Sequence, residues 1–196
     1  MSPRMGVFGG TFDPLHVGHL AIARAAIDEG TVDVVTFVPA RHSPLKDSPP
    51  VARGAERLEM LRRVTADEPR FRVSAVELER PGPSFTLATL ESLRDQGELF
   101  LILGTDALAD FDRWREPDRI RSLATLLVAD RPGAPAPASG LPFLRFDAPR
   151  LDISARELRA RASRGRSLRY LVPDPAWMYI EERGLYRATD HRSRKI

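Results

Sequence analysis

Met5-Gly6-Val7-Phe8-Gly9, running without a break into Gly10-Thr11-Phe12-Asp13-Pro14-Leu15-His16-Val17-Gly18-His19, decides how the rest of the chain is read. The first five residues form a short apolar strand that ends in glycine, and Leu20–Glu29 then takes up helical apolar spacing until Gly30 stops it. Outward from this unit the alternation continues. Val32–Val38 is a β-branched run bounded by Pro39, and Glu56–Ala66 is amphipathic with Leu58, Leu61 and Val64 on one stripe. Arg70–Leu78 reads as extended, Phe85–Gln96 as helical, and Leu99–Leu103 and Leu123–Ala129 as continuous apolar strands. Phe143–Phe146 is a last short strand, followed by helices at Ala155–Arg164 and Ala176–Arg183, the latter closed by Gly184. Apolar runs separated by helices of about ten residues predict a parallel sheet covered on both faces. The expected fold is a single-domain α/β fold, doubly wound around a mostly parallel Rossmann-like sheet, with helices at the C-terminus. Its ligand crevice would lie at the carboxyl ends of the strands, so the loop after the first strand is where chemistry is expected.

Composition narrows the classes. The chain has 196 residues, 42% of them hydrophobic, enough for one domain with a real core. No apolar run approaches the ~18 residues of a membrane span. Met1-Ser2-Pro3-Arg4 leads straight into the strand rather than into a signal-peptide stretch, and cysteine is absent, which excludes disulfides, thiolate metal sites and a cysteine nucleophile. A soluble cytoplasmic protein is expected. The formal charge is +3, yet Arg187, Arg192, Arg194 and Lys195 against Asp190 account for all of it. The expected division is thus a neutral body, residues 1–186, and a basic flexible tail, residues 187–196, without the basic face of a specific nucleic-acid binder. Arginines number 28 against two lysines, Lys46 and Lys195, so a lysine inside the body asks for a reason.

The glycine–histidine loop is chemically pointed. Gly9 and Gly10 allow close backbone approach by a ligand, and Gly18 keeps a helix N-terminus uncluttered for an anion. His16 and His19, three apart, would share one face of a helical turn and could donate to phosphate oxygens or carry charge when protonated. There is no Gly-x-x-x-x-Gly-Lys-Ser/Thr loop, and Gly6-Val7-Phe8-Gly9-Gly10 does not complete Gly-x-Gly-x-x-Gly, so a P-loop NTPase and an ordinary dinucleotide-binding dehydrogenase are excluded.

Gly-Gly-Thr-Phe-Asp-Pro-x-His-x-Gly-His resembles the signature of the nucleotidylyltransferase superfamily, most closely its bacterial nicotinate-nucleotide adenylyltransferases. The resemblance continues through Pro83-Ser84-Phe85-Thr86, Gly104-Thr105-Asp106, Arg113-Trp114, Arg131-Pro132-Gly133, Ile153-Ser154 with Arg159, and Tyr170-Leu171-Val172-Pro173. It implies transfer of AMP from ATP to nicotinate mononucleotide, giving deamido-NAD and pyrophosphate, in NAD biosynthesis. His16, His19, Lys46 and Arg159 would be the catalytic set on the phosphates. Gly9, Gly10 and Thr11 would offer backbone N–H groups to phosphate, and Ser154 would join them. Trp114 would stack on the nicotinate ring, Thr86 would lie in the loop that recognises its carboxylate, Asp106 would accept from ribose hydroxyls, and Arg131 would pair with a phosphate.

Bland readings stand beside these. Ser154-Ala155-Arg156-Glu157 is a capping box on its own terms. On local grounds alone Lys46 is a solvated loop lysine, Asp106 a helix N-cap, Arg131 a turn residue and Trp114 a packing residue. Mg²⁺ is expected only as ATP carries it, held mainly by phosphates and water, and His16-x-x-His19 without further ligands is a poor zinc site. Ser43-Pro44-Leu45-Lys46 replaces the family's commoner Pro-Pro-His-Lys, and Phe85 stands where tyrosine is commoner. The short connection from Gly133 to Ile153 leaves a homo-oligomer interface open. The competing readings are pantetheine-phosphate adenylyltransferase, against which Trp114 and the Pro83–Thr86 loop argue, and a catalytically silent nucleotide-sensing or nucleic-acid-binding module. A class I aminoacyl-tRNA synthetase shares a related histidine signature but needs a longer chain.

Overall fold

The structure, a computed structural model, describes residues 2–42, 48–130 and 140–188. Six strands, β1 (Arg4–Gly10), β2 (Val34–Pro39), β3 (Phe71–Val73), β4 (Glu98–Gly104), β5 (Thr125–Asp130) and β6 (Leu144–Asp147), form one sheet in the order β3-β2-β1-β4-β5-β6. Every pairing is parallel, with Met5 opposite both Val34 and Leu99. The helices are α1 (Val17–Asp28), α2 (Gly54–Thr65), α3 (Val76–Glu79), α4 (Thr86–Leu93), α5 (Thr105–Ala109), α6 (Pro117–Leu123), α7 (Ala155–Ser163) and α8 (Asp174–Arg183). This is the expected doubly wound α/β architecture.

The five consecutive buried residues of β4 show why the strands are unbroken apolar runs. Leu99, Leu101 and Leu103 pack on one side with Leu87 and Leu90 of α4 and Ile120 of α6. Phe100 and Ile102 pack on the other with Ala23 and Ala26 of α1. With side chains alternating across the sheet and helices on both faces, every position is apolar. A third cluster, including Met60, Leu158, Val172 and Ile180, joins α2, α7 and α8, and Val64 of α2 packs against both it and the α1 side of the sheet. The chain winds from β1 to β2 and β3, then returns to β4 and runs the other way. The reversal between β1 and β4 opens a crevice at their carboxyl ends, where ligands bind in such sheets.

Three expectations change. Residues 70–78, expected extended throughout, form only the three-residue β3 before α3 begins at Val76. Helices α5 and α6, of five and seven residues, fill the stretch after β4, and α6 takes in Leu123, expected to open a strand that begins instead at Thr125. On α2 the buried residues are Arg57, Met60, Leu61 and Thr65, so the inward face is turned away from Leu58. Among the described residues no helix is long and apolar enough to cross a membrane.

Candidate active site

Strand β1 delivers the glycine pair to the crevice. Gly9 lines the cavity there, and a Cβ on it would meet no protein atom within 4 Å. Gly10 has a different reason: a Cβ would stand 2.8 Å from Cζ of Phe12, whose ring is tucked beneath the loop. Phe12 has φ of 49°, is 2% exposed, and meets the rings of His19 and Phe37 edge-on at 5.0 and 5.7 Å. An aromatic residue in the left-handed region is costly, and the packed ring over-determines it.

Helix α1 begins at Val17, three residues before the expected start, so His16 is its N-cap and His19 its third residue. The backbone N–H of His16 donates to Nδ1 of His19 at 3.2 Å, and the two rings stack with centroids 3.7 Å apart. In the neutral His19 ring this leaves the proton on Nε2, the nitrogen able to donate to a phosphate oxygen. Gly18 leaves room at this turn: a Cβ would lie 3.0 Å from Ile153 Cγ2 and 3.1 Å from His16 Nδ1, tighter than ordinary contact.

His16 is 7% exposed, and burial lowers its pKa from 6.5 to about 4. It is a neutral ring at pH 7 and adds no fixed cation; among the described residues Arg159 brings a guanidinium to this loop. The unfolded chain binds the His16 proton more tightly than the folded one. Its stabilising contribution is therefore complete above about pH 6.5 and lost as pH falls toward about 4, amounting to ~3 kcal/mol at most. The stability advantage of wild type over His16→Asn is expected to shrink across that window in chemical denaturation; a pH-independent difference would contradict it.

Beneath the two histidines lies a buried polar hub that sequence reading missed. Asp13, 2% exposed, accepts from Val51 N at 2.7 Å through Oδ2, and from Ala52 N at 3.0 Å and the Tyr186 hydroxyl at 2.8 Å through Oδ1. Burial, reinforced by the neighbouring Asp13 charge, holds the Tyr186 phenol far above its ordinary value, so it remains a donor. Arg159 on α7 donates from Nη1 to the Asp13 carbonyl at 2.6 Å, and that nitrogen lies 3.8 Å from Asp13 Oδ2. Arg57, 1% exposed, bridges three loops by donating to the carbonyls of Thr11 at 2.7 Å, Ala40 at 2.8 Å and Ala52 at 3.2 Å. Burial pulls its pKa down, while the charge of Asp13 opposes that shift. Only Asp13 lies in the motif; Arg57 carries the weaker signal of an arginine at an apolar stripe position. Ser154 caps α7 as its sequence suggests: Oγ accepts from Glu157 N at 3.2 Å and donates to Glu157 Oε2 at 3.0 Å.

On the other side of the glycines lies a cavity of about 410 Å³, lined by Gly9, Gly10, Thr11, Phe85, Thr86 and Trp114 among others. Trp114 packs its ring 5.4 Å from Phe111, and Thr86 opens α4. The Phe85–Thr86 turn is tied to the end of β2 by Arg41 N donating to Ser84 Oγ at 2.9 Å and Ser84 N donating to the His42 carbonyl at 2.9 Å. Asp106 is not the N-cap of α5, a position held by Gly104; it is exposed in the first turn between the cavity-lining Gly104 and Ala107. Lys46 and Arg131 lie outside the described residues. The structure thus ties Arg159 to Asp13 in the loop that leads into the stacked His16 and His19, and it sets Thr86 and Trp114 on the cavity together with Gly9–Thr11 of the same loop. Among the described residues no group of three or more His, Asp or Glu side chains could hold a metal ion.

Comparison with known proteins identifies the family. Residues 7–161 match the model of the cytidylyltransferase-like family. The chain is 49% identical over 197 residues to a Roseiflexus sp. (strain RS-1) protein named "Probable nicotinate-nucleotide adenylyltransferase", covering 95% of this chain and 99% of that one. A Thermus thermophilus protein of the same name is 46% identical over 187 residues, covering 94% of this chain and 100% of its relative. In fold, the chain resembles Plasmodium falciparum nicotinic acid mononucleotide adenylyltransferase complexed with NaAD, with a TM-score of 0.75 at 18% identity over 94% of this chain and 97% of that one. With its glycine–histidine turn at the switch point of the sheet and relatives matched from end to end, the chain belongs to the cytidylyltransferase-like family, in the branch of the nicotinate-nucleotide adenylyltransferases.

Proposed function

We propose that the protein transfers the adenylyl group of ATP to nicotinate mononucleotide, releasing pyrophosphate and forming deamido-NAD. A phosphate oxygen of the mononucleotide attacks the α-phosphorus of ATP. The new P–O bond forms as the bond to the β-phosphate oxygen breaks, and the electron pair leaves with pyrophosphate. No enzyme nucleophile is required. The protein has to hold two polyanions in line and stabilise charge on the transferring phosphorus and the leaving group.

The observation that carries this reading is the sharing of Gly9–Thr11 between a donor-rich turn and a cavity walled by an indole. On the turn side, Nε2–H of His19 would donate to phosphate oxygens, and Arg159, fixed by its bond to the Asp13 carbonyl, would supply a cation. On the cavity side, Trp114 would stack on the pyridine ring near Thr86. Lys46, Arg131 and Ser154 would add phosphate contacts and Asp106 a ribose contact. ATP enters as its Mg²⁺ complex. The two oxygens of Asp13 are already engaged by Val51 N, Ala52 N and the Tyr186 hydroxyl, so the ion would stay on phosphate and water ligands. We place the reaction in the cytoplasm.

Pyrophosphate release with Mg·ATP plus nicotinate mononucleotide, nicotinamide mononucleotide or phosphopantetheine tests the reading. The first is expected to give the highest kcat/KM; preference for phosphopantetheine would overturn it.

A further inference from the structure

The cavity carries charge that stacking on Trp114 does not use. Glu77 is 7% exposed on the cavity wall, where its Oε1 accepts the Thr89 hydroxyl at 2.6 Å. A ring bearing a carboxylate enters a space that already holds one, and like charges in a partly dry site repel unless a cation intervenes. Two cations line the same cavity, Arg113 and Arg115. Arg113 directs Nη1 to Asp110 Oδ1 at 3.1 Å. Arg115 has only a loose carboxylate neighbour, Glu116 Oε1 at 3.6 Å from Nε, and its side chain is 61% exposed. Its guanidinium is centred 4.9 Å over the ring of Phe85, the residue immediately before Thr86.

We propose that Arg115, stacked on Phe85 beside Trp114, is the residue by which this site selects a pyridine carboxylate over the corresponding carboxamide. The inference rests on the adenylyl-transfer reading above and names the specificity of that same site. A guanidinium is a planar fork of donors that matches both oxygens of a carboxylate, and stacking on an aromatic face orients it before ligand arrives. A carboxamide offers that fork one acceptor and opposes it with an N–H donor of its own. It also lacks the charge that answers the cation, so Arg115 favours the acid twice over.

The test is the ratio of kcat/KM for nicotinate mononucleotide to that for nicotinamide mononucleotide, at saturating Mg·ATP, in wild type, Arg115→Gln and Arg115→Lys. In Arg115→Gln the ratio is expected to fall about tenfold, the size of one charge-assisted hydrogen bond at a partly exposed site. The loss should appear in KM for the acid, with kcat for the amide and KM for ATP unchanged. Arg115→Lys, which keeps the charge without the fork, should fall between. A ratio within twofold of wild type in Arg115→Gln would overturn the proposal, as would equal losses for acid and amide with a raised KM for ATP. Wild type that turns over neither mononucleotide overturns the adenylyl-transfer reading itself, and this inference with it. Wild type that prefers the amide overturns the role of Arg115 and the choice of nicotinate mononucleotide as acceptor, while adenylyl transfer itself stands.

Discussion

A His19→Ala variant is expected to fold and to lose about 10²–10³ in kcat, the usual penalty for removing one preorganised donor from a site where negative charge develops. The fold should survive because His19 is only partly buried and the backbone bond that Nδ1 accepts from His16 is worth about 1 kcal/mol. The two ring nitrogens can be separated by substitution. The amide oxygen of asparagine sits near the place of Nδ1, so His19→Asn should keep the bond from His16 N and much of the stability while losing the donor at Nε2. Glutamine reaches further and can present an N–H near the Nε2 position, so His19→Gln should retain more turnover than His19→Asn at lower stability. Steady-state pyrophosphate release together with thermal melts reads both effects. Near-normal kcat in His19→Asn would remove the Nε2 donor from the chemistry.

His16 and Arg159 differ from His19 in what they can offer a phosphate. Burial keeps the His16 ring neutral near pH 7, so it adds packing and hydrogen-bonding surface but no fixed cation. Arg159 is tethered to the loop by its bond to the Asp13 carbonyl while its side chain remains 31% exposed. That is the disposition of a group that meets an anion from solvent with little reorganisation, the property that makes positioned charge effective in phosphoryl transfer.

How much of this was legible in the sequence depended on the range of the interactions. β4 declares itself because both its faces are buried and every residue from Leu99 to Leu103 is apolar. The glycine–histidine turn declares itself because its parts are contiguous. The start of α1 was displaced because its cap is His16, outside the Ser, Thr, Asp and Asn set that usually marks a helix N-terminus. Helices α5 and α6 are too short to show an amphipathic repeat, and α3 is a single turn. The hub escaped for a different reason. The side chain of Asp13 is satisfied by residues 38, 39 and 173 positions away, and hydrogen bonds of that range leave no periodic trace. Arg57 left one faint mark: with Met60 and Leu61 it holds the i, i+3, i+4 face of α2, a place where an arginine must find buried acceptors.

Those acceptors and donors make Asp13→Asn the second substitution with a large expected effect, although it changes no volume. The native carboxylate is an acceptor at both oxygens, and three donors converge on it: Val51 N on Oδ2, and Ala52 N and the Tyr186 hydroxyl on Oδ1. An asparagine amide has one oxygen and one NH₂. With the oxygen toward Ala52 and Tyr186, the NH₂ faces the N–H of Val51; turned over, it faces the N–H of Ala52. Tyr186 can rotate its hydroxyl, but a backbone N–H cannot become an acceptor, so either orientation sets a buried donor against another. Each orphaned donor costs about 1–3 kcal/mol, and Arg57 also loses its nearby countercharge, so we expect a loss of about 2–4 kcal/mol in urea denaturation at pH 7. Tyr186→Phe removes one hydrogen bond while Asp13 keeps its two backbone donors, and should cost only about 1 kcal/mol. The functional effect should follow the stability order. The loop that Asp13 pins carries Arg159 on its carbonyl and leads into His16 and His19, so kcat/KM should fall further in Asp13→Asn than in Tyr186→Phe. An Asp13→Asn chain within about 0.5 kcal/mol of wild type would show that the loop does not depend on this carboxylate.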